Sequence, residues 1–319
     1  MRAIIVEKPG GTGALEIVEV PEPSPGPGQV RIRTAAAGVN PVDAATRAGL
    51  LADAGLMPPF GSRGPIGIGW DVAGTVEATG PDVVRFAPGD RVVGLRDRLD
   101  VPLGAYADAI VLDASAVARA PRSASFAEAA TLPLNGLTAS QALDLLDLPA
   151  GSTLLVTGAA GALGGFAVEL AALRGLRVVA AASAADEALV RGLGAEWFVP
   201  RGGHLGDAVR ALVPGGVDGA LDAALLSIAA LDAVRGGGVF VAVSGGPAAP
   251  VPLRGIAVHN VWIRADGARL EQLSALVDAG RLSLRVAGTY PLEEAAEAHE
   301  RLEAGGLRGR LVLTTDDPA

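Results

Sequence analysis

Three glycines, Gly158, Gly161 and Gly164, follow the apolar run Leu154-Leu155-Val156 and precede Phe166, Val168, Leu170 and Leu173. The run reads as a buried strand, and the later residues as one face of a helix. A strand, a glycine turn and a helix in that order place a pyrophosphate on a helix N-terminus, where backbone N–H groups and the helix dipole favour an anion. Gly158 permits the tight turn, Gly161 lets the backbone approach the phosphates, and Gly164 lets the helix pack on the strand. Gly158, Gly161, Ala162, Leu163 and Gly164 are thus the candidate phosphate-binding residues. The chain has 44 glycines, so the flanking strand and helix carry more weight than the spacing. The alternative is a glycine-rich αβ turn with no ligand.

The elements that must position this turn form two kinds of pattern. Up to about residue 118 the chain reads as strands and turns. Prolines at 21, 23, 25 and 27 exclude helix and central strand there. Residues 30–35, 74–76 and 91–93 read as strands, and 49–69 as a long glycine- and proline-rich loop of the kind that often carries function. Residues 125–146 read as largely helical. Strands are then expected at 153–157, 176–181, 196–200, 218–222, 239–243 and 261–264, alternating with helices near 162–174, 184–193, 206–212 and 226–234. That alternation predicts a doubly wound parallel sheet. Helices at 268–280 and 292–303 and a strand at 311–313 close the chain.

Composition bounds the rest. At 319 residues the chain is long enough for two domains with substantial cores. Aromatic residues make up only 3%, so those cores must be built from Ala, Val and Leu. The net charge of −9 argues against nucleic acid or an anionic membrane as the main partner. There is no cysteine, which removes disulfides and thiolate metal sites. Residues 1–7 read as a first strand rather than a signal peptide, and no uncharged apolar run approaches the ~20 residues of a membrane helix. A cytoplasmic location is expected.

Several segments resemble the medium-chain dehydrogenase/reductase superfamily, specifically its zinc-free quinone oxidoreductase (zeta-crystallin-like) branch. They are Ala36-Ala37-Gly38-Val39-Asn40-Pro41-Val42-Asp43, Gly69-Trp70-Asp71-Val72-Ala73-Gly74-Thr75-Val76, Leu132-Pro133-Leu134-Asn135-Gly136-Leu137-Thr138-Ala139, the turn from Gly158 to Gly164, and Arg308-Gly309-Arg310-Leu311-Val312-Leu313. The resemblance covers nearly the whole chain. It implies an α/β fold in which a GroES-like, mostly-β catalytic domain (1–119 and 267–319) holds an inserted Rossmann doubly wound parallel-sheet domain (120–266). It also implies a homodimer, formed through the edge strand at 261–264. Zinc-dependent relatives carry a catalytic Cys where this chain has Asn40 and a His-Glu pair where it has Trp70-Asp71. His204, His259 and His299 are scattered and read as surface or packing residues, so no metal is expected.

The strand expected to end near 182 is followed by Ser183, with no acid until Asp186. An acid at that end would bind the adenosine ribose and select NAD; a small polar residue leaves room for a 2′-phosphate. Arg201, after the next strand, is placed to supply charge, so NADPH is the expected cofactor. Ser183 could equally cap a helix, and Arg201 be a solvated loop charge. By resemblance, Thr138 lies near the nicotinamide ribose, Val243 and Ser244 cover that ribose, and Asn260 and Val261 approach the carboxamide.

A substrate reduced without a metal must already be electrophilic, such as a quinone or an α,β-unsaturated ketone. Hydride addition then makes an enolate whose oxygen needs donors. Asn40 is the candidate donor. Asp43 either holds the loop or orients Asn40, and Arg47 either orients cofactor or substrate or pairs with an acid. Many relatives carry a Tyr where this chain has Ala45, which leaves the proton donor unassigned. Leu56, Met57, Phe60 and Arg63 of the 49–69 loop either line a wide substrate pocket or only pack the loop. Two other readings compete with a reductase: an NADPH-binding enzyme of the same fold catalysing a non-redox, cyclisation-type step, and a non-catalytic NADPH-binding protein.

Overall fold

The computed structural model describes residues 1–62, 64–243 and 249–315. The chain divides into two compact units, Met1–Leu134 with Arg264–Ala319, and Asn135–Ile263.

The first unit opens with β1 (Arg2–Val6) and β2 (Glu16–Glu19), an antiparallel pair. After the proline-rich stretch, β3 (Gln29–Val39) leads through Asn40 into α1 (Pro41–Arg47) and the short α2 (Leu50–Asp53). Then come β4 (Ile66–Gly67), β5 (Asp71–Thr79), β6 (Arg91–Leu95), β7 (Ala109–Asp113) and β8 (Val117–Arg119). The helix α3 (Phe126–Ala129) follows, and then α4 (Pro133–Leu146), which from Asn135 onward belongs to the second unit.

The second unit alternates. It runs β9 (Thr153–Thr157), α5 (Ala162–Leu173), β10 (Arg177–Ala182), α6 (Glu187–Gly192) and β11 (Trp197–Pro200). It continues with α7 (Leu205–Leu212), β12 (Val217–Asp222), α8 (Ile228–Asp232), β13 (Val234–Ala242) and β14 (Ala257–Asn260). All the strand pairs are parallel, in the order β11-β10-β9-β12-β13-β14. Strands covered on both faces must be apolar along their length, which is why β9 and β10 stand out in the sequence as unbroken runs. The chain then returns to the first unit with α9 (Gly267–Asp278), β15 (Val286–Pro291), α10 (Ala295–Glu303) and β16 (Arg310–Thr314).

The main sheet of the first unit runs β15-β16-β3-β5-β6-β8, with β7 also on β3. β3 is its centre. Its first half alternates buried and open residues, and from Thr34 onward it is buried on both faces. Its core joins Ile4, Ile32, Val72, Tyr106, Ile110 and Leu311.

Several boundaries differ from the sequence expectation. The first division falls after Leu134 rather than at 119/120, because α3 packs on β3 and β5 and the Leu134 N–H donates to Asp71 Oδ1 at 2.7 Å. The return falls at 263/264 rather than 266/267. The helix expected over 125–146 is broken before Pro133, whose ring suits the first turn of a helix but not its interior. The edge strand is Ala257–Asn260 rather than 261–264; the apolar Val261-Trp262-Ile263 that suggested the latter follows it. The loop at 49–69 contains α2 and β4, and β15 was not anticipated, since its alternately exposed residues lack an apolar run. No helix among the described residues is long and apolar enough to cross a membrane.

Candidate active site

In the second unit the glycine turn joins β9 to α5. Gly158 has φ 59°, a backbone that only glycine adopts without strain. A Cβ on Gly164 would lie 2.1 Å from the Gly158 carbonyl oxygen, so the helix can seat on the strand only with glycine there. Gly161 differs: a Cβ would meet only the Gly158 oxygen, at 3.2 Å. A side chain at 161 would need a few tenths of an ångström of relief there, far less than at 164. Ala162 and Leu163 begin α5, whose N-cap, Gly161, has no side chain to satisfy the first N–H groups.

The strand ends beside this turn carry the remaining cofactor candidates. Ala182 pairs in register with Pro200, which sets Ser183 and Arg201 side by side at the ends of β10 and β11. The Arg201 N–H donates to the Ala182 carbonyl at 2.7 Å. Arg201 is exposed, and its guanidinium has no acid partner among the described residues. The Ser183 side chain makes no cap hydrogen bond, so the helix-capping alternative fails. Asn260 ends β14 with its Oδ1 buried and lacking a hydrogen-bond partner. Val261 follows, its N–H donating to the Ala242 carbonyl at 2.9 Å, and Val243 lies one residue beyond β13. Thr138 is buried on α4. Ser244 lies outside the described residues.

In the first unit three strand ends meet. β3 delivers Asn40, β5 begins at Asp71, and Arg310 heads β16, whose Leu311 pairs with Val39. Gly38 makes room for them, since a Cβ there would come within 2.7 Å of Asp71 Oδ2. The Asn40 amide Nδ2 donates to Asp71 Oδ2 at 2.8 Å and to the Gly38 carbonyl at 3.4 Å. The Asn40 backbone N–H donates to Asp43 Oδ2 at 2.8 Å, and the Tyr106 hydroxyl lies 3.3 Å from the same oxygen. Tyr106 also lies 3.3 Å from His299 Nε2, and Arg47 Nη1 lies 3.5 Å from His299 Nδ1. Arg47 donates as well to Glu303. A guanidinium only donates, so His299 Nδ1 accepts and Nε2 carries the proton. The donors then run one way, Arg47 to His299 to Tyr106 to Asp43.

Burial governs the charges in this cluster. Asp43 and Asp71 are both pushed up to about 7, chiefly by desolvation. Repulsion from Asp71 raises Asp43 further, while hydrogen bonds from Asn40 oppose the rise in both. His299 is lowered to about 4, first by burial and then by Arg47. Among the described residues, the buried Arg310 is the one cation that bears on both carboxyls. One arginine balances one carboxylate, so near neutrality the cluster is electrically even when the two carboxyls hold one proton between them.

One expectation is corrected here. Asn40 has no exposed surface and both its amide hydrogens are engaged, so it is not an open donor for a substrate oxygen. Arg47 pairs with Glu303 and lies against His299, which is the acid-pairing alternative of its two readings. Asp43 holds the loop by accepting from the Asn40 backbone, as a turn-forming Asp would. Sequence reasoning assigned no site role to Asp71, Tyr106, His299 and Arg310. A charge heading an apolar run (Asp71, Arg310) or sitting on the apolar face of a helix (His299 beside Ala295 and Ala298) was the available signal.

The 49–69 loop is partly committed to packing. Met57 is buried and Phe60 packs on the core of the first unit, whereas Leu56 is exposed. A cavity of about 250 Å³ opens beside them, lined by Met57, Pro58, Pro59, Ile66, Asp100 and Pro102. Arg63 lies outside the described residues. The donors around Asn40 do not suit a tetrahedral zinc. No thiolate exists in the sequence, both Asp71 oxygens already accept hydrogen bonds, and Arg310 supplies the local positive charge.

Comparison with known proteins adds family and relatives. An alcohol dehydrogenase GroES-like domain model matches residues 26–122, and a zinc-binding dehydrogenase model matches residues 193–313. The first curated relatives are polyketide synthases, of which the chain spans only 4%, 14% and 3% of the length. One of these, the spectinabilin polyketide synthase protein NorB of Streptomyces orinoci, is 33% identical over 96% of this chain. A quinone oxidoreductase of Pseudomonas aeruginosa is 30% identical, with 95% of this chain and 96% of that protein covered. An NADPH-dependent alkenal/one oxidoreductase of Arabidopsis thaliana is 29% identical, covering 98% and 79%. Among solved structures, an NAD-dependent alcohol dehydrogenase superposes with a TM-score of 0.87 at 31% identity, covering 98% and 99%. A mycobacterial protein complexed with NADPH superposes with a TM-score of 0.81 at 30% identity, covering 98% and 100%.

Proposed function

The chain belongs to the medium-chain dehydrogenase/reductase superfamily, and from that premise we propose that it is a zinc-independent, NADPH-dependent oxidoreductase delivering hydride to a quinone or an α,β-unsaturated carbonyl compound. The observation that carries the reading is the acid-free end of β10. An uncapped Ser183 hydroxyl stands there beside an exposed Arg201 with no acid partner among the described residues, which suits a 2′-phosphate and lacks the carboxylate that holds a free ribose hydroxyl. The activities of the Pseudomonas and Arabidopsis relatives and the NADPH of the mycobacterial neighbour support it.

NADPH, when bound, supplies hydride from its nicotinamide. The chain's part is to bind and orient. Gly158, Gly161, Ala162, Leu163 and Gly164 take the pyrophosphate, and Ser183 with Arg201 takes the 2′-phosphate. Asn260, whose buried Oδ1 lacks a partner, accepts from the carboxamide amide; Thr138, Val243 and Val261 flank that end. Asn40, Asp43 and Arg47 act as positioning residues through the buried cluster. Leu56, Met57 and Phe60 take the apolar part of the substrate. The reading includes a homodimer, for which β14 ends the sheet with Trp262, 60% exposed, nearby. It assigns the chain to the cytoplasm, where a reduced NADPH pool is held.

Fluorescence titration with NADPH and NADH, followed by NADPH consumption with a panel of quinones and enones, tests the proposal. Tighter NADPH binding with turnover on at least one substrate class is expected. Equal cofactor affinities, or binding with no consumption across the panel, would sink it.

A further inference from the structure

In the second unit the strand order reverses between β9 and β12, so the crevice of this sheet opens between the turns that leave those two strands. The glycine turn is one lip. The other is the segment 223–227, and it differs in kind. Leu225 has φ 57° and Ser227 has φ 52° with ψ −116°, left-handed conformations that non-glycine residues adopt only under strain. Leu225 and Leu226 are 53% and 42% exposed in spite of being leucines. Glycine would adopt the backbone of 225 without strain, yet a leucine stands there with its side chain open to solvent.

A buried pair holds the strain. Thr157 and Asp222 are the last residues of β9 and β12 and face each other in register. The Thr157 hydroxyl donates to Asp222 Oδ1 at 2.6 Å and accepts from the Ala224 N–H at 3.0 Å. Asp222 Oδ1 also accepts from the Leu226 N–H at 3.1 Å, and Oδ2 from the Ser227 N–H at 2.7 Å. Both side chains are almost fully buried. The segment presses on the glycine turn, so that a Cβ on Gly158 would lie 3.3 Å from that of Ala224. One hydroxyl and one carboxylate thus tie the two lips together and fix the backbone of the second. Strain that is over-determined in this way marks a functional surface.

We propose that the Thr157–Asp222 pair sets the width of the dinucleotide crevice, and that it holds Leu225 and Leu226 out as a pre-formed apolar lip against the bound cofactor. This rests on the NADPH reading above. Thr157 and Asp222 are positioning residues, acting through the backbone of 223–227. The leucines exclude water from the pyrophosphate and the nicotinamide ribose without adding a polar contact of their own.

Two variants test it by NADPH fluorescence titration and thermal melting. Leu225→Gly relieves the left-handed strain and removes one apolar side chain. It should melt no lower than the wild type yet bind NADPH roughly fivefold more weakly, since the cofactor must then order the lip itself. Thr157→Val keeps shape but loses both hydrogen bonds, and should weaken binding roughly tenfold. A Leu225→Gly chain that binds NADPH as tightly as the wild type overturns the inference, and it decides alone where Thr157→Val fails to fold. A wild-type chain that binds no NADPH overturns the functional reading and this inference together, whereas a binding wild type with unchanged variants overturns this inference only.

Discussion

The two units place their chemistry in different materials. In the second, the groups proposed to take the pyrophosphate are main-chain N–H groups, set by glycines within one turn at 158–164. In the first, the polar centre is made of side chains from positions 40, 43, 71, 106, 299 and 310, on elements far apart in the chain. A backbone site is local, so substitution there acts through sterics. A side-chain site assembled at strand ends is non-local, so substitution there acts through charge. Variants in the first unit should therefore respond to pH, and those in the second should not.

The largest expected effect comes from breaking the charge balance. Arg310→Met removes the cation that faces Asp71 and Asp43. Leaving buried carboxyls without a counter-charge typically costs about 3–5 kcal/mol. The loss should be full near about pH 8, where a carboxylate must stay charged and alone, and small near about pH 5, where both carboxyls hold protons. Melting curves of wild type and variant across that range check this; a loss independent of pH would move Arg310 from charge balance to packing.

Steric control in the second unit comes next. Gly164→Ala puts a methyl group 2.1 Å from a backbone oxygen that cannot move away, so the helix must lift off β9. Overpacking of this kind costs about 3 kcal/mol and should abolish NADPH binding with it. Gly161→Ala meets only one atom at 3.2 Å and should leave the melting temperature nearly unchanged while weakening NADPH binding roughly tenfold or more. Equal behaviour of the two alanine variants would erase the distinction between a packing glycine and a ligand-facing one.

The same contrast explains what could be read beforehand. The β9–turn–α5 unit was legible because its strand is apolar throughout and its glycines are neighbours. The alternation of 153–243 was legible for the same reason. The cluster was not. Asn40 and Asp43 were visible on one loop, but their partners are set by the pairing of β3 with β5 and β16, a register that no short window contains. Asn40 was therefore read as facing a substrate when its amide is turned to Asp71. Tyr106 and His299, from separate elements, meet edge to face at 5.8 Å between centroids, which neither segment announces.

Titration of the cluster gives a smaller effect with a definite sign. Asp71 stands at about 7 against 3.8 when unfolded, so the folded chain keeps a proton that the unfolded chain releases. The stability this supplies is full below the unfolded value and is lost as pH rises through the folded one. His299, lowered to about 4 from 6.5, acts in the opposite sense: its contribution is full above 6.5 and is lost as pH falls towards 4. The overall profile is flattened by this opposition, but a comparison with Asp71→Asn cancels the histidine. The destabilisation of that variant should shrink by about 2 kcal/mol between about pH 5 and 7, because only the wild type has to ionise. Denaturant midpoints at several pH values measure it; a gap that stays constant over this range would mean Asp71 is ionised throughout.

Arg201→Ala is the mildest change and bears most directly on the cofactor. Arg201 is exposed, its backbone is fixed by the hydrogen bond to Ala182, and its guanidinium has no acid partner among the described residues. Removing it should leave folding unchanged, since no acid among the described residues pairs with its charge. A charged hydrogen bond to a phosphate at an open site contributes about 1.5 kcal/mol, or roughly tenfold in affinity. NADPH binding should weaken by that factor, and NADH binding, which lacks the 2′-phosphate, should stay as it was. Raising the salt concentration should shrink the NADPH effect, because an exposed pair is screened over about 10 Å at 0.1 M. Parallel titrations of both cofactors at low and high salt separate the outcomes. A variant that loses NADH affinity as well would show that Arg201 touches a group common to both cofactors, and the preference would then rest on Ser183 and the missing acid alone.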